Sequence, residues 1–370
     1  MALHLRFRTL TLFLTGFSAL ISLHGAAAAA GVASPLARTI SVVASTVPPN
    51  GDVNPYGMAV VPTTMGALVA GNILISNFNN ASNLQGTGST IVQISPSGHM
   101  SVFAQIDPHH LHGQCPGGIG LTTALAATSS GWVFVGSLPT MDGSPATARA
   151  GCVLVLNSLG QVMETFYGSL INGPWDMTAM DGGTRVRLWI TNVLNGTVAG
   201  HGSVVNGGTV VRFDLSIPNG SMPRITSATV VASGLAERTD PGALVIGPTG
   251  LALSPDHSLL YVADSVNSRI GAISNPVSRT TSGGIGMTLT MGGALNVPLG
   301  LAIAPNGDVL SANGADGFLV RTMPNGHQVR KDLLDSSGDP PGAGALFGLA
   351  VGTRGLYYVD DATNTLNLFH

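Results

Sequence analysis

Six times along this chain a short apolar strand follows an anchor of Pro or Leu, one intervening residue and, in most copies, Gly. The anchors are Pro55-Tyr56-Gly57, Pro116-Gly117-Gly118, Pro174-Trp175-Asp176, Pro248-Thr249-Gly250, Pro298-Leu299-Gly300 and Leu346-Phe347-Gly348. Their third residues, at 57, 118, 176, 250, 300 and 348, lie 61, 58, 74, 50 and 48 positions apart. The fourth copy is the clearest. Residues 250–253, 259–263 and 269–274 read as three strands, separated by turns at 255–257 and 264–268 that carry Pro, Asp, Asn and Ser. Such residues hydrogen-bond their own backbone and so favour turns. A three-strand piece cannot bury both of its faces alone, so the copies must pack on one another. The shorter spacings match the roughly 40–50 residues of a propeller blade. The recurring Gly fits there too, because strands near a propeller axis crowd together and a missing side chain permits close backbone approach.

Each copy continues into a second and a third strand, and five continue into a fourth. The last copy ends at residues 365–369 after three strands, while residues 39–45 (TISVVAS) supply one strand before the first anchor. The expected fold is therefore all-β: a six-bladed β-propeller of four-stranded blades, with the N-terminal strand completing the last blade. That closure leaves no unpaired edge at the seam. An open array or a seven-bladed ring would need a further copy. The 173–248 interval has room for one, but its extra length fits a long loop at residues 195–208.

The segment Leu260-Tyr261-Val262-Ala263-Asp264-Ser265-Val266-Asn267-Ser268-Arg269-Ile270 resembles an NHL repeat, residues 298–320 a weaker one and residues 348–369 a weaker one still. The resemblance implies a propeller, and NHL-type propellers include enzymes, scaffolds and ligand binders. There is also a distant similarity to the regucalcin/gluconolactonase group of six-bladed lactonases. In that group an Asp after a strand comparable to 259–263 helps hold the catalytic metal, which would make Asp264 a ligand. The chain departs from the group's pattern elsewhere. Asn54-Pro55-Tyr56-Gly57 stands where a Glu-Gly-Pro motif would open the first blade, and Thr249 stands where an Asn would precede the Gly.

Before the first strand, Arg6 and Arg8 precede an apolar stretch at 9–23 and the small residues Ala26–Ala30. This is the pattern of a signal peptide over residues 1–30, leaving a single propeller domain at 35–370. No later stretch is long and apolar enough to span a bilayer, and no Cys near the cleavage site invites lipidation. With 9% charged residues, a net charge of −3 and many Ser, Thr and Asn, the chain reads as secreted or periplasmic and as a monomer. The same charge balance offers no basic surface for nucleic acid.

The second strands end on polar residues: Asn77, Ser137, Asn192, Asp264, Asn313 and Asp361. Asn80, Asn195, Asn267, Asp316 and Asn364 follow most of them three positions later. In a four-stranded blade these ends share one rim with the loops that lead into the first strands. They either cap local turns or form a ring of oxygen ligands near the axis, with Asp264, Asn192 and Asn313 holding a hard cation such as Ca²⁺. Asp176, standing where other anchors have Gly, is expected near the channel mouth on that rim. A second cluster, His109, His110, His112 and Cys115, has ligand types that suit zinc or copper, or it is an exposed loop. His201, in the third blade's long loop, could add a ligand from across the rim. Cys115 and Cys152 are the only cysteines, and in an oxidising compartment they are expected to pair, which would remove Cys115 as a ligand.

The sequence contains no Gly-x-Ser-x-Gly elbow, P-loop or convincing Ser-His-Asp set. The leading functional expectation is an exported propeller that binds a small-molecule ligand or a protein partner through its loop-rich rim. The alternative is a metal-assisted (Ca or Zn) hydrolase, lactonase or lyase with the metal at the axis. A passive cell-envelope structural protein is the third reading.

Overall fold

The computed structural model of the chain describes residues 38–370. The expected signal peptide and the first residues of the expected domain lie outside them. Six sheets form a ring. Blade one comprises Val53–Val60, Ile73–Asn79, Thr90–Ile94 and Met100–Gln105. Blade two comprises Leu121–Ala127, Val133–Ser137, Cys152–Leu156 and Val162–Phe166. Blade three comprises Pro174–Asp181, Arg185–Asn192, Val205–Ser216 and Arg224–Asp240, with a fifth strand, Leu244–Ile246. Blade four comprises Pro248–Leu253, Leu259–Asp264, Arg269–Ser274 and Met287–Met291. Blade five comprises Pro298–Ile303, Val309–Asn313, Phe318–Thr322 and Gln328–Leu333. Blade six comprises Leu346–Gly352, Gly355–Asp360, Thr365–Phe369 and, from the other end of the chain, Ile40–Ser45.

The N-terminal strand pairs antiparallel with the last strand, Ile40 opposite Phe369 and Ser45 opposite Thr365. Beyond the strand end, Thr39 N–H donates to the His370 carbonyl at 2.8 Å. The ring is thus closed by backbone hydrogen bonds between the chain's two ends, and blade six has no free outer edge at Thr365–Phe369.

Burial follows the blade boundaries. Phe134, Val153, Val155 and Phe166 of blade two pack on Met177, Leu188, Ile190 and Phe213 of blade three. In the same way Ala302, Leu310 and Leu319 of blade five pack on Leu349, Leu356 and Tyr358 of blade six. Alternate residues of each strand therefore face opposite neighbours, as a period of two requires. The apolar core is a set of layers between blades, which is why one copy could not fold alone.

The first strand of every blade lines the axis and breaks register near its rim end, just after the residue paired with the end of the second strand. In blades one, four, five and six glycine is needed at this break. A Cβ on Gly250 would stand 2.3 Å from the Leu299 carbonyl oxygen of the next blade, and one on Gly300 would stand 2.0 Å from that of Phe347. The second blade corrects the sequence expectation. Pro116-Gly117-Gly118 is a turn, closed by Gly118 N–H to the Cys115 carbonyl, and the strand starts later, at Leu121. The Gly-rich triplet imitates an anchor but serves a tight turn, with Gly118 at φ 108°.

The third blade corrects it again. Its extra length is only partly a loop, at residues 193–204. The rest extends the outer hairpin and adds Leu244–Ile246, paired as Arg238–Ile246 and Asp240–Leu244. The turn between them is set by Asp240, whose Oδ1 accepts from the amides of Gly242 (2.9 Å) and Ala243 (3.2 Å). Among the described residues no helix is long and apolar enough to cross a membrane.

Candidate functional site

The ends of the second strands meet the starts of the first strands in matching pairs: Pro55–Asn77, Leu121–Ser137, Pro174–Asn192, Pro248–Asp264, Pro298–Asn313 and Leu346–Asp360. The register makes Asp360, not the expected Asp361, the sixth member of the ring. All six are buried. Their polar atoms bind local groups. Asp264 accepts from Asn267 Nδ2 at 3.0 Å and forms an ion pair with Arg269 at 3.3 Å. Asn313 Nδ2 donates to Asp316 Oδ1 at 2.9 Å, and Asp360 Oδ1 accepts from the Thr363 amide at 3.1 Å. Ser137 Oγ bridges the Gly118 carbonyl and the Gly120 amide. Asn192 Oδ1 accepts from the Asn172 amide, and Asn77 Nδ2 donates to the Thr46 carbonyl. Asn77 Oδ1 and Asn313 Oδ1 have no protein partner, but they belong to blades one and five, with blade six between them.

The axis at this rim is filled by apolar groups. The residues before the axial glycines are Tyr56, Leu299 and Phe347, with Trp175 before Asp176 and Thr249 before Gly250. Tyr56 stacks on Phe347 at 3.9 Å and on Phe78 at 4.5 Å, and lies 6.2 Å from Trp175. Leu244, Val245 and Ile246 join the same cluster, and Trp175 Nε1 donates to the Val245 carbonyl at 3.1 Å. The fifth strand of blade three is therefore part of a plug over the axis. The sequence signal for it was Ala243-Leu244-Val245-Ile246, an apolar run between two turn-forming pairs in the longest interval. The Tyr56 hydroxyl is buried without a hydrogen-bond partner. Burial, and after it the negative charge of Asp361, hold its pKa well above the ordinary tyrosine range.

Calcium would need several free oxygens converging on one point. Asp264, the counterpart of the lactonase metal ligand, has both carboxylate oxygens engaged by Asn267 and Arg269. Asn192 has its carbonyl oxygen engaged as well. Among the described residues no group of three or more His, Cys, Asp or Glu is arranged to hold a metal ion. The residues at this rim do not fit an axial metal.

The histidine segment lies elsewhere. Thr165 Oγ1, on the outermost strand of blade two, donates to the Gln114 carbonyl at 2.8 Å, which fastens the segment at the periphery rather than near the axis. His109, His110 and His112 are exposed, and His110 Nδ1 pairs with Asp107 Oδ2 at 2.5 Å. That hydrogen bond, with the His109 amide, lowers the Asp107 pKa. Cys115 and Cys152 form a disulfide with Cα atoms 5.2 Å apart, so no thiolate remains for a metal. His201 sits in the exposed loop of blade three at φ 48° and does not join them.

Two further buried carboxyls lie outside the ring of second-strand ends. Glu237 is fully buried, and its Oε1 accepts from the Asn195 amide at 2.9 Å while Oε2 has no partner. Burial raises its pKa to about 8. No motif marks this residue in the sequence. Asp176 does not reach the rim surface. It lies beneath the plug, at one end of an axial cavity of about 390 Å³ lined by the first strands of all six blades. The lining residues are buried near Asp176 and half-buried at Val60, Ala127, Leu253, Ile303 and Val351. With exposed His257 at that far end, the cavity opens on the face opposite the plug. Asp176 Oδ2 accepts from the Leu251 amide at 2.8 Å, and burial raises its pKa to about 7.

No family model matches the sequence, and no curated protein matches it. Solved structures do. A gluconolactonase from Xanthomonas campestris is 13% identical, with 90% of this chain and 89% of that chain covered at a TM-score of 0.53. Virginiamycin B lyase from Staphylococcus aureus is also 13% identical, with coverage of 90% and 99% and a TM-score of 0.52. The PQQ-bound aldose sugar dehydrogenase from Streptomyces coelicolor is 15% identical, with coverage of 91% and 99% and a TM-score of 0.52. At such identities the likeness establishes the fold alone. The chain is an NHL-like six-bladed propeller with distant similarity to gluconolactonase-type propellers.

Proposed function

We propose that this chain is an exported binding propeller that recognises a protein partner through its loop-rich rim. The observation that carries the proposal is the plug. Tyr56, Trp175, Leu299, Phe347 and the strand Leu244–Ile246 fill the axis where a metal-assisted hydrolase would need a cleft and free ligands. What remains on that side is a surface of loops, and loops on a rigid scaffold are the usual carriers of recognition. With the axis filled on this side, a surface of loops suits a macromolecule better than a small substrate, which needs concavity. The Cys115–Cys152 bridge ties residues 107–120 to the 138–151 loop and so restrains part of that surface. The bridge and the signal-peptide pattern together support a secreted or periplasmic location.

Two measurements test the proposal. The first is elemental analysis of the purified mature protein before and after chelation. Stoichiometric calcium or zinc, with lactone or ester turnover lost on chelation, would replace the proposal by the metal-assisted hydrolase. The second is partner capture from the cell-envelope and medium fractions of the producing cell. Ser82→Trp, at an exposed position of the 80–89 rim loop, should abolish capture, and Ser97→Trp, in a turn on the opposite face, should not. Equal capture by both variants would overturn a rim site.

A further inference from the structure

We propose that the axial cavity beneath the plug binds a small organic cation through its ammonium group. This site opens on the face opposite the rim and is independent of the rim proposal. Its floor is built around a departure from the repeat, since blade two has Thr122-Thr123-Ala124 at the break and blade three has a carboxylate. Blades one, four, five and six place Gly at the axial break, and a Cβ there would meet neighbouring backbone. On Gly57 it would stand 2.7 Å from the Thr122 carbonyl oxygen, and on Gly348 it would stand 2.3 Å from that of Tyr56. Blade three places a carboxylate there instead. Asp176 is 8% exposed, and its carboxylate accepts from the backbone amide of Leu251. Among the described residues no Arg or Lys pairs with it.

A buried carboxylate without a counter-ion is costly, and a ligand cation relieves that cost by supplying both charge and N–H donors. The only other titratable side chain on the lining, among the described residues, is His257 at the open end. Met58, Leu125, Met177, Leu251, Leu301 and Leu349 lie on the lining strands but pack into the layers between blades, so the walls are largely the polar edges of those strands. A volume of about 390 Å³ falls in the range of small-molecule sites and exceeds what a bare metal ion fills. An ammonium group would donate to Asp176 while the rest of the ligand occupies the cavity.

The test is calorimetric titration of the mature chain with n-hexylamine, and with n-hexanol as the uncharged control of equal length. Hexylamine is expected to bind once per chain and at least about tenfold more tightly than hexanol, the ratio one charge-assisted hydrogen bond provides. Asp176→Asn should remove that preference. Asp176→Gly installs the residue that four other blades carry, so it keeps the fold while also removing the preference. Near-ultraviolet circular dichroism would verify both folds. Equal affinity for amine and alcohol, or unchanged amine binding in both variants, would overturn the site. Calcium or ammonium chloride binding as tightly as hexylamine would overturn the organic cation.

Discussion

The rings of Tyr56 and Phe347 stack at 3.9 Å across the junction of blades one and six, over the axis of the propeller. This contact joins the first blade to the last and closes the rim side of the channel. The Tyr56 hydroxyl gains nothing from it, because it is buried without a partner. Tyr56→Phe is therefore expected to leave stability unchanged or raise it by about 1 kcal/mol. Phe347→Ala should lower it by about 3–5 kcal/mol, the range for emptying a buried aromatic site. Urea unfolding of the two variants checks both values.

The N-terminal strand is worth more than its own burial. Residues 40–45 are mostly exposed, yet they occupy the edge of the last strand through the register Ile40–Phe369 to Ser45–Thr365. Removing residues 38–45 should cost about 1 kcal/mol for each ladder hydrogen bond lost and leave an edge prone to association. A truncated chain with an unchanged melting temperature and no concentration-dependent association would refute the clasp.

Asp264 and Arg269 form an ion pair in which both side chains are at most 3% exposed. Asp264→Asn would leave the guanidinium buried without its counter-charge, at a cost of about 3–5 kcal/mol. The double variant Asp264→Leu with Arg269→Met should recover much of that loss. A metal-ligand role for Asp264 predicts a different pattern, lost metal with modest destabilisation. Unfolding curves paired with elemental analysis separate the two.

The Cys115–Cys152 bridge spans a sequence separation of 37. Replacing both cysteines by Ser is expected to cost about 2–4 kcal/mol by releasing the denatured chain from that constraint. The loss should appear as a lower urea midpoint.

Four carboxyls have folded pKa values raised by burial: Asp360 to about 6, Asp176 and Asp361 to about 7, and Glu237 to about 8. The folded state therefore holds protons that the unfolded state, with carboxyls near about 4, has released. Stability should be highest near about pH 4–5 and fall as pH rises toward 8. The lowered carboxyls, such as Asp256 at about 2, are ionised in both states above about pH 5 and contribute no slope there. Glu237→Gln should reduce the fall between about pH 6 and 8, by at most about 1.4 kcal/mol per pH unit. An unchanged slope would contradict a protonated Glu237.

The repeat alone determined the blade count, the ring and the closing strand. Local signals sufficed because each blade is a run of short apolar strands with Asx-type turns, and each must stack on its neighbours. The Cys115–Cys152 pairing could likewise be anticipated from two cysteines at one blade. Three features depended on the folded ring. Pro116-Gly117-Gly118 has an anchor's composition, and only backbone register shows that it is a turn. Residues 243–246 have no repeat counterpart, and their place over the axis comes from contacts with Tyr56 and Trp175, far away in sequence. Asp176 was legible as an exception to Gly, but not as a carboxylate under a plug. Its surroundings are assembled from all six blades, and burial of that kind is a property of the closed ring rather than of any one segment.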